Sequence, residues 1–145
     1  MIKRFLLSVV CLMVLTVHAQ TESQYVDLGL PSGTFWKQSK ETGTYTYDDA
    51  VRYFDGFLPT SGQFKELIDN CKWEWTGRGY KVIGKNGRSI FILSEFKRGK
   101  KVVGAYWSIT KDDNGCCFGL LCYPSRVKID RSCDLNNGRN IILCK

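Results

Sequence analysis

Cysteine is the residue type whose chemistry stands out most clearly in this sequence. The chain contains seven cysteines, and those after residue 19 are Cys71, Cys116, Cys117, Cys122, Cys133 and Cys144. In an oxidising compartment this even set predicts disulfide bonds, with the pairing left open. Cys116 and Cys117 would face opposite sides of a strand, so a bond between them would be strained. Each is expected to meet a distant cysteine or to stay a small buried thiol.

Metal-binding and catalytic patterns are missing. No Cys-x-x-Cys pair occurs, and the single histidine, His18, lies in the N-terminal segment. A structural zinc site and a histidine-activated nucleophile are therefore not expected. Three acidic pairs fit a helix start, a polar helix face and a turn instead: Asp48 and Asp49, Glu66 and Asp69, and Asp112 and Asp113. We predict no catalytic residue, no metal, no cofactor and no enzymatic activity.

A basic run is the first candidate for ligand binding. It consists of Lys97, Arg98, Lys100 and Lys101. Several cations held together attract sulfated or uronic acid glycans. The alternative interpretation is a solvated loop between two strands.

The second candidate group is Trp107 together with Asp112, Asp113 and Asn114, which follow its strand. Carboxylate and amide oxygens are ligands that calcium prefers, and a flat indole ring offers a packing surface for a sugar. The alternatives are a hairpin turn for residues 112–114 and a core position for Trp107. Both groups are retained as candidate ligand contacts.

The N-terminus indicates export. Lys3 and Arg4 precede an apolar run over residues 5–17, and Val-His-Ala ends at Ala19, which is typical of a signal peptide cut before Gln20. The run is short for a membrane span, which needs about 20 residues. We expect residues 1–19 to be a signal peptide and residues 20–145 to be one domain, secreted, periplasmic or on the cell surface.

Lipidation of Cys11 is the less favoured alternative for this N-terminus. Val10 is bulky for the position before such a cut, and little apolar sequence precedes it. The formal net charge is +7, of which Lys3 and Arg4 account for two charges. This balance permits nucleic acid binding without arguing for it, and export makes such a partner unexpected.

Local patterns predict two helices and several strands. Thr46 with Asp49, and Thr60 with Gln63, have the spacing of helix-capping pairs, and each pair precedes apolar residues at helical spacing. Asn86-Gly87 between apolar runs predicts a hairpin. Strands are expected around residues 25–28, 34–36, 73–76, 80–83, 89–93, 102–109, 118–123, 126–129 and 140–144. The pattern predicts an α+β domain with two helices preceding a mostly antiparallel twisted sheet.

Four segments together resemble a known family. Residues 25–36 read Tyr-Val-Asp-Leu-Gly-Leu-Pro-Ser-Gly-Thr-Phe-Trp, and they are followed by Leu-Pro-Thr at 58–60, Gly-Tyr-Lys-Val at 79–82 and Tyr-Trp-Ser at 106–108. In this order they resemble the motifs of the bacterial major-paralogous-domain family (FISUMP), common in exported proteins of gut Bacteroidetes. The resemblance implies a C-type lectin-like fold used as a recognition module.

The sequence also departs from that family. Residues 93–101 are shorter and more basic than the family's segment at this place, and Asn-Ile-Ile stands at 140–142 where Ser-Val-Arg is usual. The Glu-Pro-Asn and Gln-Pro-Asp tripeptides of sugar-binding lectins are absent, so calcium-dependent sugar binding is not implied. The chain resembles a divergent member.

These observations predict an exported, non-catalytic and adhesin-like recognition module that binds an anionic glycan or a surface protein. The alternative is a structural or assembly protein of the cell envelope with no glycan ligand. The sequence leaves the ligand and the oligomeric state open.

Overall fold

The computed structural model describes residues 24–99 and 101–145. The predicted signal peptide, residues 1–19, lies outside the described residues. The described part contains two helices, α1 (Tyr47–Phe54) and α2 (Ser61–Asn70). It also contains nine strands: β1 (Tyr25–Asp27), β2 (Phe35–Lys37), β3 (Lys72–Trp75), β4 (Gly79–Ile83), β5 (Ser89–Leu93), β6 (Phe96–Arg98), β7 (Lys101–Lys111), β8 (Cys117–Tyr123) and β9 (Arg126–Ser132).

The strands form three antiparallel sheets, with orders β1-β2, β3-β4-β5 and β6-β7-β8-β9. The largest sheet is irregular, because the register of β7 against β8 shifts between Trp107 and Lys111. Neither helix has the length and hydropathy needed to cross a membrane, and this holds for the described residues only.

The predicted fold class is wrong. We expected a C-type lectin-like α+β arrangement with two helices preceding the sheet. Instead, β1 and β2 come before both helices. The two helices are short and lie in the middle of a chain dominated by antiparallel sheets. The first strands are completed from the far end of the chain: Phe35 N donates to Lys145 O at 2.8 Å, and Lys37 N donates to Leu143 O at 2.9 Å. Pairing between segments so distant in sequence leaves no local pattern.

The two helices begin where their capping residues predict. Thr46 Oγ1 accepts a hydrogen bond from Asp49 N at 3.3 Å. At α2 the cap is reciprocal, since Thr60 Oγ1 accepts from Gln63 N at 3.1 Å while Gln63 Oε1 accepts from Thr60 N at 2.8 Å. These bonds satisfy amide groups that the first helical turn leaves without partners.

The core lies on both faces of the β6–β9 sheet. Because successive side chains of a strand point to opposite faces, Tyr106 and Trp107 of β7 lie on different faces of the sheet. Both side chains are fully buried. Tyr106 packs in a cluster with Phe64 and Leu67 of α2. Trp107 packs in a second cluster that includes Tyr47 of α1, with the two rings edge to face at 5.8 Å. The sheet is therefore the middle layer of the domain.

One disulfide joins Cys116, just before β8, to Cys133, just after β9. This confirms the predicted use of cysteine for cross-linking. Cys117 stays a buried thiol, and its Sγ donates to Ser108 O at 3.1 Å. Cys71, Cys122 and Cys144 are also free thiols. One bond, and not a framework of several, therefore links the cysteines of the described residues.

Removing this disulfide is expected to destabilise the domain by about 3 kcal/mol, because it closes a loop with a sequence separation of 17 residues in the unfolded chain. The measurement is a denaturant titration of the paired Cys116→Ser, Cys133→Ser variant against the parent. The matched control is Cys71→Ser, a half-buried free thiol that should change little. Equal midpoints for the paired variant and the parent would show that the bond does not form.

Alkaline pH is expected to destabilise the domain through its buried thiols. Burial raises the pKa of Cys117 and of Cys144 from an ordinary value of about 9 to about 11. Because the folded pKa is raised, this contribution to stability is complete below pH 9 and is lost as the pH rises from 9 to 11.

Denaturant midpoints measured from pH 8 to pH 11 test this expectation. Cys144→Ser removes one of the shifted groups, so its midpoint should fall less steeply with pH than that of the parent. Parallel curves for variant and parent would contradict the assignment.

Candidate ligand-binding groove

An open groove of about 800 Å³ lies on the Trp107 face of the β6–β9 sheet. Its floor is aliphatic and is formed by Val103, Ala105 and Leu121. The remaining lining residues are Thr44, Leu93, Glu95, Gly99, Asp130, Asn137, Gly138, Arg139 and Asn140. The groove thus combines an apolar base with polar walls.

The wall at residues 137–140 is held by backbone pairing on two sides. Arg139 N donates to Tyr45 O, and Tyr45 N donates to Arg139 O, both at 2.9 Å. The next residue, Asn140, donates from its N to Ala105 O at 2.8 Å, and its carbonyl accepts from Trp107 N at 3.2 Å. The segment therefore continues the sheet beside β7 beyond the point where β6 ends.

A buried ion pair fixes one end of the groove. Arg139 donates from Nη1 and Nη2 to the two carboxylate oxygens of Asp130, at 2.9 and 2.8 Å. Its guanidinium carbon also stands 4.5 Å from the centre of the Trp107 ring. Only 9% of Arg139 is exposed. The bidentate hydrogen bonds and the stacking on Trp107 together hold the guanidinium in a single orientation.

The missing side chain of Gly119 makes room for this ion pair. Gly119 lies opposite both Trp107 and Asp130 in the sheet register. A Cβ there would overlap the Tyr106 carbonyl oxygen and would lie 2.5 Å from Nη1 of Arg139. Glycine is therefore the residue that lets the guanidinium lie flat on the sheet.

The opposite wall is formed by the end of β5 and the β6–β7 hairpin. Glu95 accepts a hydrogen bond from Arg78 Nε at 2.6 Å, and this bond raises the pKa of the guanidinium. The Tyr106 hydroxyl donates to Leu93 O at 2.7 Å. Both acidic residues that line the groove, Glu95 and Asp130, are thus neutralised by an arginine.

Two basic side chains lie on the same sheet face without such partners. Lys128 stands opposite Leu121 in the register, and Arg126 stands opposite Tyr123. Both are exposed, and within the described part of the chain neither forms an ion pair with a carboxylate. Arg126 has its guanidinium carbon 5.1 Å from the Tyr123 ring centre. These two unpaired positive charges therefore lie beside the groove on the same sheet face, although neither residue belongs to its lining.

The candidate basic run lies next to this groove. Gly99 at the tip of the β6–β7 hairpin is a lining residue, and Lys97, Arg98 and Lys101 belong to the two strands of that hairpin. Arg98 pairs with Lys101 in the register. Lys100 lies outside the described residues.

The second candidate group does not come together at the groove. Trp107 is fully buried beneath Arg139 and donates from Nε1 to Tyr45 O at 2.7 Å. Asp112, Asp113 and Asn114 follow the far end of β7 and are not lining residues. The core position, which was the alternative for Trp107, is the one observed.

Asp112 holds a turn. Its Oδ1 accepts from Asn114 N at 2.9 Å and from Cys116 N at 3.0 Å, and its Oδ2 bonds Arg131. The hydrogen bond from Arg131 is the main reason that the pKa of Asp112 lies below its ordinary value. Across residues 24–99 and 101–145, no group of three or more metal-ligating side chains is suited to an ion.

No protein-family model matches the chain, and neither the curated proteins nor the solved structures compared with it give a match. The groove itself is therefore the feature that points to a function.

Sequence reasoning missed Asp130 and Arg139. A partial signal existed for Asp130, because Arg126, Lys128 and Asp130 alternate with apolar residues and so share one strand face. Nothing in the sequence distinguishes the buried Arg139 from the exposed arginines, since its burial follows from contacts with β7 and with residue 45.

Asp130→Asn is expected to cost about 3 kcal/mol of unfolding free energy, because it leaves the Arg139 guanidinium buried without its carboxylate. Denaturant titration at neutral pH measures the change. Asp69→Asn is the matched control, since its ion pair with Lys65 is exposed and should be worth less than about 1 kcal/mol. Equal losses in the two variants would contradict the structural role of the Asp130 pair.

Proposed function

We propose that this protein is an exported, non-catalytic recognition module that binds a glycan or a protein in the groove beside β7. The observation that carries the proposal is the groove itself, with its aliphatic floor and the fixed Asp130–Arg139 pair at one end. Its volume of about 800 Å³ lies in the range of ligand sites, roughly 300–1,000 Å³. The signal-like residues 1–19 support a location outside the cytoplasm.

The state of the reactive side chains supports the absence of catalysis. Burial raises the pKa of the Cys117 and Cys144 thiols to about 11, which keeps them protonated and poorly nucleophilic. Glu66 accepts hydrogen bonds from the Ser32 hydroxyl and amide at 2.6 and 3.2 Å, so its carboxylate anchors a loop. Asp112 is engaged in its turn.

Membership of the major-paralogous-domain family stays a prediction. Its support is the motif at residues 25–36, whose Leu28, Leu30 and Trp36 are buried in the core. The lectin-like fold that the resemblance implied is not part of the proposal.

Filling the groove is expected to abolish ligand binding without unfolding the domain. Ala105→Phe places a ring on the floor, where the present side chain is only half-buried. A glycan array and a panel of purified surface proteins, probed with parent and variant, measure the effect. The matched control is Ser89→Phe, on β5 and away from the groove lining.

Two results would contradict the proposal. One is binding that survives Ala105→Phe undiminished. The other is a failure to bind either class of ligand together with concentration-dependent oligomers in sedimentation. The latter favours the assembly alternative, for which the exposed Phe35, Tyr53 and Phe57 are the supporting observation.

A further inference from the structure

We infer that the groove binds an extended, acidic polypeptide segment in which small aliphatic side chains alternate with carboxylates. The inference rests on the proposed function and names the chemistry of the ligand. Three independent features of the groove carry it: its floor, its charge and its backbone groups.

The floor fits aliphatic side chains better than sugar rings. Val103, Ala105 and Leu121 form it, and no aromatic side chain is among the described residues that line the groove. The Trp107 ring lies beneath this sheet face, but it is fully buried and covered by the Arg139 guanidinium, so a sugar cannot pack on it. Burial of apolar area stabilises an aliphatic side chain on such a floor, whereas the flat ring that a sugar face needs is missing.

The charge around the groove selects an anionic segment. Glu95 and Asp130 are each paired with an arginine, at 2.6 Å and 2.8 Å. Lys128 and Arg126 are exposed on the same sheet face, and within the described ranges no carboxylate pairs with them. A ligand carboxylate beside β9 would meet this uncompensated positive charge.

The backbone at Gly138 offers hydrogen bonds to an extended chain. Gly138 and the neighbouring Asn137 line the groove and are exposed. The Asn137 amide closes the turn at residues 135–136, whereas Gly138 takes part in no backbone–backbone hydrogen bond among the described residues, and Arg139 and Asn140 are fully engaged. The amide and carbonyl of Gly138 are therefore the backbone groups that could pair with a bound strand.

Synthetic peptides test the inference directly. The probe is a peptide of about eight residues that alternates Glu and Val, with Gln–Val, Lys–Val and Glu–Ser peptides as matched controls. A uronic acid oligosaccharide of similar length represents the glycan alternative. Fluorescence anisotropy at two salt concentrations should show that the Glu–Val peptide binds at least about tenfold more tightly than each control, with affinity falling as salt is raised.

Variants connect that binding to the groove. The paired change Lys128→Glu, Arg126→Glu should lower the affinity for the Glu–Val peptide about tenfold or more. Ala105→Phe should abolish binding of this peptide. Circular dichroism checks that both variants are folded. Lys81→Glu, an exposed lysine on β4, is the matched control and should leave the affinity unchanged.

The outcomes separate this inference from the proposed function. Groove-dependent binding of the oligosaccharide in place of the peptide overturns the acidic-polypeptide ligand and leaves a recognition module standing. Equal binding of Glu–Val and Gln–Val peptides overturns the role of charge, and with it the inference. Failure of every probe overturns the acidic-polypeptide inference, while the glycan array and protein panel decide the proposed function. Binding that Ala105→Phe leaves intact overturns both.

Discussion

The whole domain depends on one constraint at the centre of β7: two consecutive large aromatic residues, Tyr106 and Trp107, must both be kept from water. Since neighbouring strand residues face opposite ways, the sheet needs a cover on each side. Helix α2 and the β3–β5 sheet contribute one cover, and helix α1 with residues 141 and 143 contributes the other. The groove is the part of the second face that these elements leave open.

Local chemistry explains why the helices could be predicted and the fold class could not. Thr60 and Gln63 identify the start of α2 because a capping box is complete within four residues. The hairpin at Asn86-Gly87 is local in the same sense. The pairing of Phe35 with Lys145 joins segments near the two ends of the described chain. Neither segment has a sequence pattern that indicates the other as its partner. The fold class was therefore misjudged, although both helices and most strands were placed correctly. The strand predicted at residues 140–144 is wrong, because only isolated bridges form there, and β6 was not predicted.

The site was predicted in part for the same reason. A run of cations is visible in any sequence, and the structure brings the hairpin that carries it to the groove through Gly99. The floor and the Asp130–Arg139 pair arise from register, since Leu121 faces Lys128 and Gly119 faces Asp130 only after β8 and β9 have aligned. Conversely, Asp112, Asp113 and Asn114 have the side-chain oxygens of metal ligands but supply a turn, which short polar residues do often.

The pairing of residues 143–145 with β2 also affects the order in which the protein can fold. Ile141 and Ile142 are completely buried, one in each core cluster, and they follow every other core residue except Leu143 and Cys144 in synthesis. A chain without these residues lacks part of the filling of both cores, and without residues 143–145 it also lacks the backbone hydrogen bonds beside β2. Stable packing of both faces of the sheet therefore requires the segment that follows β9.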